Sequence, residues 1–209
     1  MMQVERDWAQ FALLLIDVQQ DFWGARMAEL FPQFPANVTQ LLTLCRTEGI
    51  DVIHLRVAFR PDGSDWMVRY RLRGRIPCVA GTPGVETLPF ARENPGETVI
   101  VKHAFDGFQT PELLQRLRDS GKRFVLTAGL VTSTCVLFTT VSAMQSGFLT
   151  AVVEDACADE PSAHQQTLDR YQFIFDRTTV EGIVERYGGW SAALARLREL
   201  ERLDASRCA

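Results

Sequence analysis

The chain has 209 residues, 46% of them hydrophobic, which is enough to bury one sizeable core in a single domain covering residues 1–209. The net charge of −4 provides no basic field for a phosphate backbone and argues against a nucleic-acid partner. The early apolar run "FALLLI" is too short for a membrane span or a signal-peptide core, so we expect no membrane partner and a cytoplasmic location.

Short apolar runs alternate with amphipathic segments along the chain. The runs predict six strands: "FALLLI", "DVIHLRVA", "TVIVK", "RFVLTAG", "FLTAVVED" and "YQFIFDRT". Helical patterns cover roughly residues 36–48, 111–120, 133–146, 162–169 and 191–203. This alternation predicts an α/β fold in which helices cover both faces of a parallel sheet.

The segment 59–96 departs from this alternation. It is rich in proline and glycine and has no long helical or strand period. We interpret it as an extended excursion between two strands. Insertions of this length in a compact domain usually form lids, substrate walls or subunit contacts.

The cysteines and histidines predict neither disulfides nor a metal site. The five cysteines have no CxxC pair and no regular spacing: Cys45, Cys78, Cys135, Cys157 and Cys208. No two of the three histidines, His54, His103 and His164, lie within one helical turn of each other. We therefore expect reduced thiols, no metal and no other cofactor.

Three chemically capable side chains come just after predicted strands. Asp17 follows "LLLI", Lys102 follows "TVIV" and Cys135 lies just beyond "RFVLTAG". The carboxyl ends of parallel strands share one edge of a sheet, and ligands bind there. We therefore expect these three side chains to face the same rim.

These residue types suit covalent hydrolysis. A thiol becomes a strong nucleophile when a base takes its proton or when positive charge lowers its pKa. Asp17 is the candidate base, and Lys102 is the candidate cation beside it. Fast alkylation of Cys135 by iodoacetamide would indicate a lowered thiol pKa. Free backbone amides between Gly129 and Cys135 can hold the oxyanion of a tetrahedral intermediate.

Each of the three residues also has a purely structural explanation. Cysteine is among the most buried residue types, so Cys135 can be part of the core. Asp17 can cap a turn, and Lys102 can be solvated at a strand end. Their shared rim and complementary roles favour an active site.

Four segments occur in order within residues 11–179: "LLLIDVQQDF", "VIVKHAFDGFQT", "AGLVTSTCVLFTTVSAMQSGF" and "VVEDACAD". Together they resemble the isochorismatase-like cysteine hydrolases, a superfamily that also contains the nicotinamidases. The resemblance implies a Rossmann-like three-layer α/β/α sandwich around a mostly parallel, six-stranded sheet.

The resemblance also implies roles for individual residues. Asp17 is then the general base, Lys102 its charged partner and Cys135 the nucleophile that forms an acyl-cysteine intermediate. In similar enzymes a cis peptide bond precedes the nucleophile, here between Leu130 and Val131. The amides of Val131 and Cys135 would then form the oxyanion hole.

Departures from the family patterns narrow the expected substrate. Metal-binding nicotinamidases usually carry an Asp-Trp-His element after the second strand, whereas "VIHLRVAFRPDGSDW" places His54 inside the strand. We therefore do not expect a nicotinamidase. Isochorismatases that cleave a vinyl ether do not need a cysteine, so Cys135 favours hydrolysis of an amide or ureido carbon–nitrogen bond.

Aromatic residues near the triad are candidate substrate-binding residues, although they can equally belong to the core or to a subunit interface: Phe22, Trp23, Trp66, Phe105 and Phe108. The segment "DGFQT" is one residue shorter than the family pattern. The family pattern therefore does not predict whether Phe108 and Thr110 form a wall of the substrate pocket. The segment "RYRLRGR" places an arginine at every second position from 69 to 75. We favour a solvated or intersubunit strip over carboxylate binding.

We therefore expect a metal-independent cysteine amidohydrolase that acts on a small molecule and forms a homo-oligomer, either a dimer or a tetramer. One alternative is ether or ester hydrolysis on the same scaffold. A second is a non-catalytic binding protein, although the intact triad argues against it. Nucleotide binding is disfavoured because neither GxGxxG nor a P-loop follows a predicted strand.

Overall fold

Six strands form a parallel sheet in the computed structural model, which describes residues 6–207. They are β1 (Phe11–Ile16), β2 (Asp51–Val57), β3 (Thr98–Lys102), β4 (Phe124–Leu130), β5 (Leu149–Ala158) and β6 (Asp176–Thr178). The strand order is β3-β2-β1-β4-β5-β6, and every pairing is parallel. All six predicted strands are present. The last is shorter than predicted because residues 171–175 form turns before the short pairing with β5.

Helices connect most of these strands. Within residues 6–207 they are α1 (Ala25–Leu30), α2 (Phe34–Glu48), α3 (Val68–Arg73), α4 (Pro111–Asp119), α5 (Leu137–Gln145), α6 (Pro161–Arg170) and α7 (Gly182–Arg207). The two that the sequence analysis does not predict, α1 and α3, have six residues each and are too short to show a helical period. No helix in this part of the chain has both the length and the apolar character needed to cross a bilayer.

The direction of the connections explains the three layers. α2 leads from β1 to β2, whereas α5 leads from β4 to β5 on the other side of β1. Crossovers between parallel strands are right-handed, so two that run in opposite directions lie on opposite faces of the sheet. The predicted α/β/α sandwich is confirmed.

The centre of the sheet is the core of the protein. Every residue of β1 and of β4 is buried, as expected for neighbouring strands that are covered on both faces. After β1 the chain forms β2 and β3 on one side of β1, and it then forms β4, β5 and β6 on the other side. The carboxyl ends of β1 and β4 therefore border the crevice at which sheets of this type bind ligands.

The excursion 59–96 forms a wall at the carboxyl end of β2. The Phe59 amide donates to the Cys78 carbonyl at 2.9 Å, and the Ala80 amide donates to the Phe59 carbonyl at 2.8 Å. Val57, Phe59 and Cys78 form a small buried cluster, against which Tyr70 of α3 packs. This cluster fixes α3 beside the rim.

Gly129 is a position in β4 at which we expect no other residue to fit. Its φ is +121°, and a Cβ atom there would lie 2.0 Å from the carbonyl oxygen of Ile16. Since this neighbour is backbone of the adjacent strand, β1 and β4 would have to separate. Gly129→Ala should lower the free energy of unfolding by more than about 3 kcal/mol in urea titrations.

Gly49 provides the matched control, since its φ is +75° but a Cβ atom there would meet no atom within 4 Å. Gly49→Ala adds only backbone strain and should cost about 1 kcal/mol. Equal losses in the two variants would show that the contact with Ile16 contributes nothing.

Candidate active site

The rim formed by the carboxyl ends of the strands brings together the three side chains expected there, Asp17, Lys102 and Cys135. The Lys102 ammonium donates to Asp17 Oδ2 at 2.7 Å and to the Ala104 carbonyl at 2.9 Å. The Cys135 thiol is close enough to interact with both charged side chains. Asp17 and Lys102 are completely buried, and Cys135 is 5% exposed. One base, one cation and one thiol therefore form a single buried cluster.

Asp17 occupies a tight turn that ends β1. Its φ is +51°, in the left-handed region that aspartate adopts more readily than most residues. Its amide donates to the Leu55 carbonyl at 2.9 Å, and its carbonyl accepts from the Gln19 amide at 2.8 Å. The Asp17 Oδ1 atom is buried and has no hydrogen-bond partner among the described residues, so it is free to accept a proton.

Cys135 lies in a π-helical turn, Thr132–Val136, that leads into α5. The peptide bond between Leu130 and Val131, just before this turn, is cis. The turn is attached to the start of α6 in two places. The Ser133 amide donates to Asp159 Oδ2 at 2.8 Å, and Thr132 Oγ1 lies 2.8 Å from His164 Nδ1. These contacts fix the backbone that carries the thiol.

The loop after Lys102 is attached to the helix that follows Cys135. Asp106 accepts hydrogen bonds from the Phe108 amide at 2.8 Å and from the Ser142 hydroxyl at 2.7 Å. The Gly107 amide donates to Thr139 Oγ1 at 3.0 Å. Since Ser142 and Thr139 lie on α5, these bonds hold β3 and α5 in one relative position.

Burial and charge act against each other in the ion pair. Burial raises the pKa of Asp17, and the charge of Lys102 offsets this only in part. Burial also lowers the pKa of Lys102, but the negative charges of Asp17 and Cys135 outweigh that effect and hold it above its usual value. Lys102 therefore remains an ammonium, while Asp17 becomes a stronger base than an exposed aspartate.

The electrostatics of Cys135 correct one expectation. Positive charge near Cys135, which would lower its thiol pKa, is one of the two routes to a nucleophile suggested by the sequence. In the structure, burial raises the pKa of Cys135 and the Asp17 carboxylate raises it further, while Lys102 offsets only part of this. The resting thiol is therefore protonated, and the neighbouring Asp17 carboxylate is a group that can accept its proton.

The five candidate substrate-binding aromatics occupy different places. Phe105 lies closest along the chain to Lys102, and its ring is 6.2 Å from that of Phe138. Phe22 packs against both the main core and the Val57–Phe59–Cys78 cluster. Trp23 stacks on Phe34 with the ring centroids 4.8 Å apart.

Trp66 and Phe108 face other surroundings. The Trp66 indole donates to the Arg60 carbonyl at 2.7 Å, and its ring lines a separate cavity of about 340 Å³ with Gly63. The Phe108 ring lies 6.2 Å from Phe148, which precedes β5 at the amino end of the sheet. The structure therefore does not bring Phe108 into the group around the triad.

Two residues at the site are missed by the sequence analysis. Tyr70 lies near the triad: burial, together with the charges of Cys135 and Asp17, raises its pKa to about 12. Gln19 is buried, and its amide group makes one hydrogen bond to the Val85 carbonyl and two to the backbone of Val57, all at 2.8 or 2.9 Å. The sequence signal for Gln19 is weak, because it is one of two adjacent glutamines in "DVQQDF". Tyr70 gives no clear signal either, because it stands among arginines in "RYRLRGR".

Two of the histidines are paired with carboxylates. His54 contacts Glu97 at 3.0 Å, and His103 contacts Asp65 at 3.0 Å. Among residues 6–207, no three His, Cys, Asp or Glu side chains are grouped as a metal ion would require. The described cysteines are free thiols: Cys45, Cys78, Cys135 and Cys157. Cys208 lies outside the described residues.

Comparison with known proteins gives consistent matches. The isochorismatase domain matches residues 11–180. An isochorismatase family protein of Bacillus subtilis is 33% identical over 151 residues, which cover 70% of this chain and 77% of that protein. Maleamate amidohydrolase of Pseudomonas putida is 31% identical over 158 residues, which cover 72% of this chain and 73% of that protein. The crystal structure of an isochorismatase family protein from Desulfovibrio vulgaris has a TM-score of 0.77 and 30% identity, covering 84% of this chain and 97% of that one.

The fold and the matched segment define an α/β enzyme that carries the isochorismatase domain over most of its length. The chain belongs to the isochorismatase family and is an isochorismatase-like hydrolase. The resemblance noted in the sequence is confirmed.

Lys102→Met tests the buried ion pair. It leaves the Asp17 carboxylate buried without a cation, so we expect the free energy of unfolding to fall by about 3–5 kcal/mol at neutral pH. The loss should be smaller in acid, because burial raises the folded-state pKa of Asp17 above its ordinary 3.8. Stability from protonated Asp17 is present below about pH 4 and is lost as the pH rises through the raised folded-state pKa.

The control for this experiment is the double variant Asp17→Asn/Lys102→Met, which removes both charges. Chemical denaturation between pH 5 and pH 8 should show that it recovers much of the lost stability and has little pH dependence over this range. A Lys102→Met variant as stable as the parent chain at neutral pH would contradict the account of the pair.

Proposed function

We propose that the protein is a metal-independent cysteine amidohydrolase that cleaves an amide or ureido carbon–nitrogen bond of a small molecule through an acyl-cysteine intermediate. The contact between Asp17, Lys102 and Cys135 at the crevice between β1 and β4 carries this proposal. The similarity to maleamate amidohydrolase, whose name specifies amide hydrolysis, supports it.

The first step is activation of the thiol. The unpaired Oδ1 atom of Asp17 accepts the Cys135 proton while Oδ2 stays bound to Lys102. Burial raises the pKa of Asp17 and so makes this carboxylate a stronger base for the proton. The ammonium of Lys102 stays beside both groups and stabilises the thiolate as it forms.

The second step forms the acyl-enzyme. The thiolate of Cys135 attacks the carbonyl carbon, and a tetrahedral intermediate forms with a negatively charged oxygen. Its collapse breaks the carbon–nitrogen bond, and the leaving nitrogen takes the proton held by Asp17. A thioester on Cys135 and a neutral amine or ammonia result.

The third step returns the enzyme to its starting state. Water attacks the thioester, and Asp17 accepts one of its protons. The second tetrahedral intermediate then expels the Cys135 thiolate, which regains a proton from Asp17 as the acid product leaves. In both tetrahedral intermediates we assign the oxyanion to the backbone amides of Val131 and Cys135.

Replacing the nucleophile or the base should abolish turnover without unfolding the chain. We expect Cys135→Ser and Asp17→Asn each to lower kcat by at least about 10³-fold, because the thiol and its proton acceptor act as one unit. Ammonia release from a panel of small amides measures the loss, and circular dichroism verifies the fold. The control Cys45→Ala removes an equally buried thiol from α2 and should leave kcat unchanged.

The reaction class needs a second measurement. Mass spectrometry of the parent chain, quenched during turnover, should show an acyl adduct on the peptide that contains Cys135. A matched panel of esters and vinyl ethers tests the alternative chemistry. Hydrolysis of those compounds by Cys135→Ser at the parent rate would rule out the thioester mechanism.

The pH dependence of kcat/KM reports on the free enzyme. Because Asp17 must be ionised to accept the proton, activity should fall in acid with a midpoint above the ordinary aspartate value of 3.8. Since the pKa of Cys135 is raised, activity should remain level through the alkaline range that titrates ordinary thiols. A rate that climbs through about pH 8.5, the ordinary thiol value, would instead indicate a preformed thiolate.

A further inference from the structure

The arginines of the segment 69–75 have no carboxylate partners among residues 6–207: Arg69, Arg71, Arg73 and Arg75. Some cationic side chains in other elements have such partners, as in the pairs Arg46–Glu97, Arg116–Asp51 and Arg177–Glu154. The chain as a whole carries a net charge of −4. The segment is therefore a local, uncompensated positive region on an acidic protein.

Nearby acidic side chains are already engaged. Asp62 accepts from the amide and the hydroxyl of Ser64. Asp65 accepts from the Arg60 amide at 2.9 Å and contacts His103 at 3.0 Å. Neither carboxylate neutralises the arginines of α3, so the positive charge remains available to a ligand.

Helix α3 presents this charge beside the triad. Tyr70 is its inward-facing residue, with its ring 5.8 Å from Phe59 and 6.1 Å from Phe105. Val68 and Leu72 are 72% and 75% exposed and mark the outward face of the helix. Because residues three apart are neighbours on a helix, Arg73 lies on the same side as Tyr70.

Tyr70 connects this helix to the reacting groups. Phe105 follows Lys102 by three residues and lies 6.2 Å from Phe138, which follows Cys135 by three residues. The ring of Tyr70 packs against Phe105, which places Tyr70 beside the loop that follows Lys102. Burial and the charges of Cys135 and Asp17 raise the pKa of its hydroxyl, whereas the charge of Arg73 lowers it.

We infer that the substrate carries a carboxylate, which Arg73 and Tyr70 of α3 bind at the entrance to the triad while the amide end of the same molecule reaches Cys135. This inference rests on the proposed amidohydrolase function. A guanidinium binds a carboxylate through two parallel hydrogen bonds, and a tyrosine hydroxyl can donate a third. Binding one end of a short molecule in this way places its other end against the nucleophile.

Pairs of substrates that differ only in charge test the inference. The monoamides of malonic, succinic and glutaric acids carry one carboxylate each, and the corresponding diamides carry none. Ammonia release yields kcat/KM for every compound with the 209-residue chain. We expect a monoamide of the best-fitting length to exceed its diamide by about 10- to 100-fold, as for other hydrogen bonds to charged groups.

Variants of α3 then assign the preference to particular residues. Arg73→Gln should reduce the ratio of monoamide to diamide activity to near one, mainly through a higher KM for the monoamide. Tyr70→Phe should raise the same KM by a smaller factor. Arg118→Gln is the matched control, because Arg118 is exposed on the last turn of α4, at the other end of the sheet, and should not alter the ratio.

Binding of the dicarboxylates themselves separates this inference from the proposed function. Calorimetric titration of malonate, succinate and glutarate into the parent chain should show binding that Arg73→Gln loses and Arg118→Gln keeps. A chain that hydrolyses no amide but binds these anions through Arg73 contradicts only the proposed reaction. A chain that cleaves diamides as well as monoamides, or that binds no dicarboxylate, overturns the carboxylate site.

Discussion

The ion pair between Asp17 and Lys102 is the contact on which the rest of the site depends. Two charges with no solvent exposure are stable there only because each is the other's nearest partner. The pair lies between strands that are separated by β2 in the sheet, so the chain must complete β1, β2 and β3 in register before the two side chains can meet. The chemistry therefore depends on the correct assembly of the whole sheet.

Hydrogen-bonding side chains around the pair fix the loops that connect the strands to the following elements. Gln19 binds the end of β2 and the excursion 59–96 together, and Asp106 holds the loop after β3 against α5. Asp159 does the same for the turn that carries the nucleophile. These residues do not react, but each fixes a backbone segment that bears or adjoins a reacting group, which keeps the thiol and its base within reach.

The sequence was sufficient for the sheet, the main helices and the meeting of Asp17, Lys102 and Cys135 at one rim, because strand ends in a parallel sheet converge on one edge. It was insufficient for the electrostatics of Cys135. Burial outweighs the charge of Lys102 there, and the extent of burial follows from packing rather than from composition. Phe108 does not join the group around the triad for a related reason, since the side chains of a loop can point to either side of it.

Tyr70 was missed because it belongs to a six-residue helix in a segment without regular periodicity. The excursion that carries it is separate from β1, β3 and the turn after β4, which bear Asp17, Lys102 and Cys135. In the proposed reaction, the groups that react and the groups that select the substrate are thus encoded in separate stretches of the sequence. Mutation can reshape the excursion, whose only regular elements are short turns of helix, while the strands that carry the base and its cation remain intact. Substitutions confined to the excursion can therefore change the substrate while the hydrolytic groups stay the same.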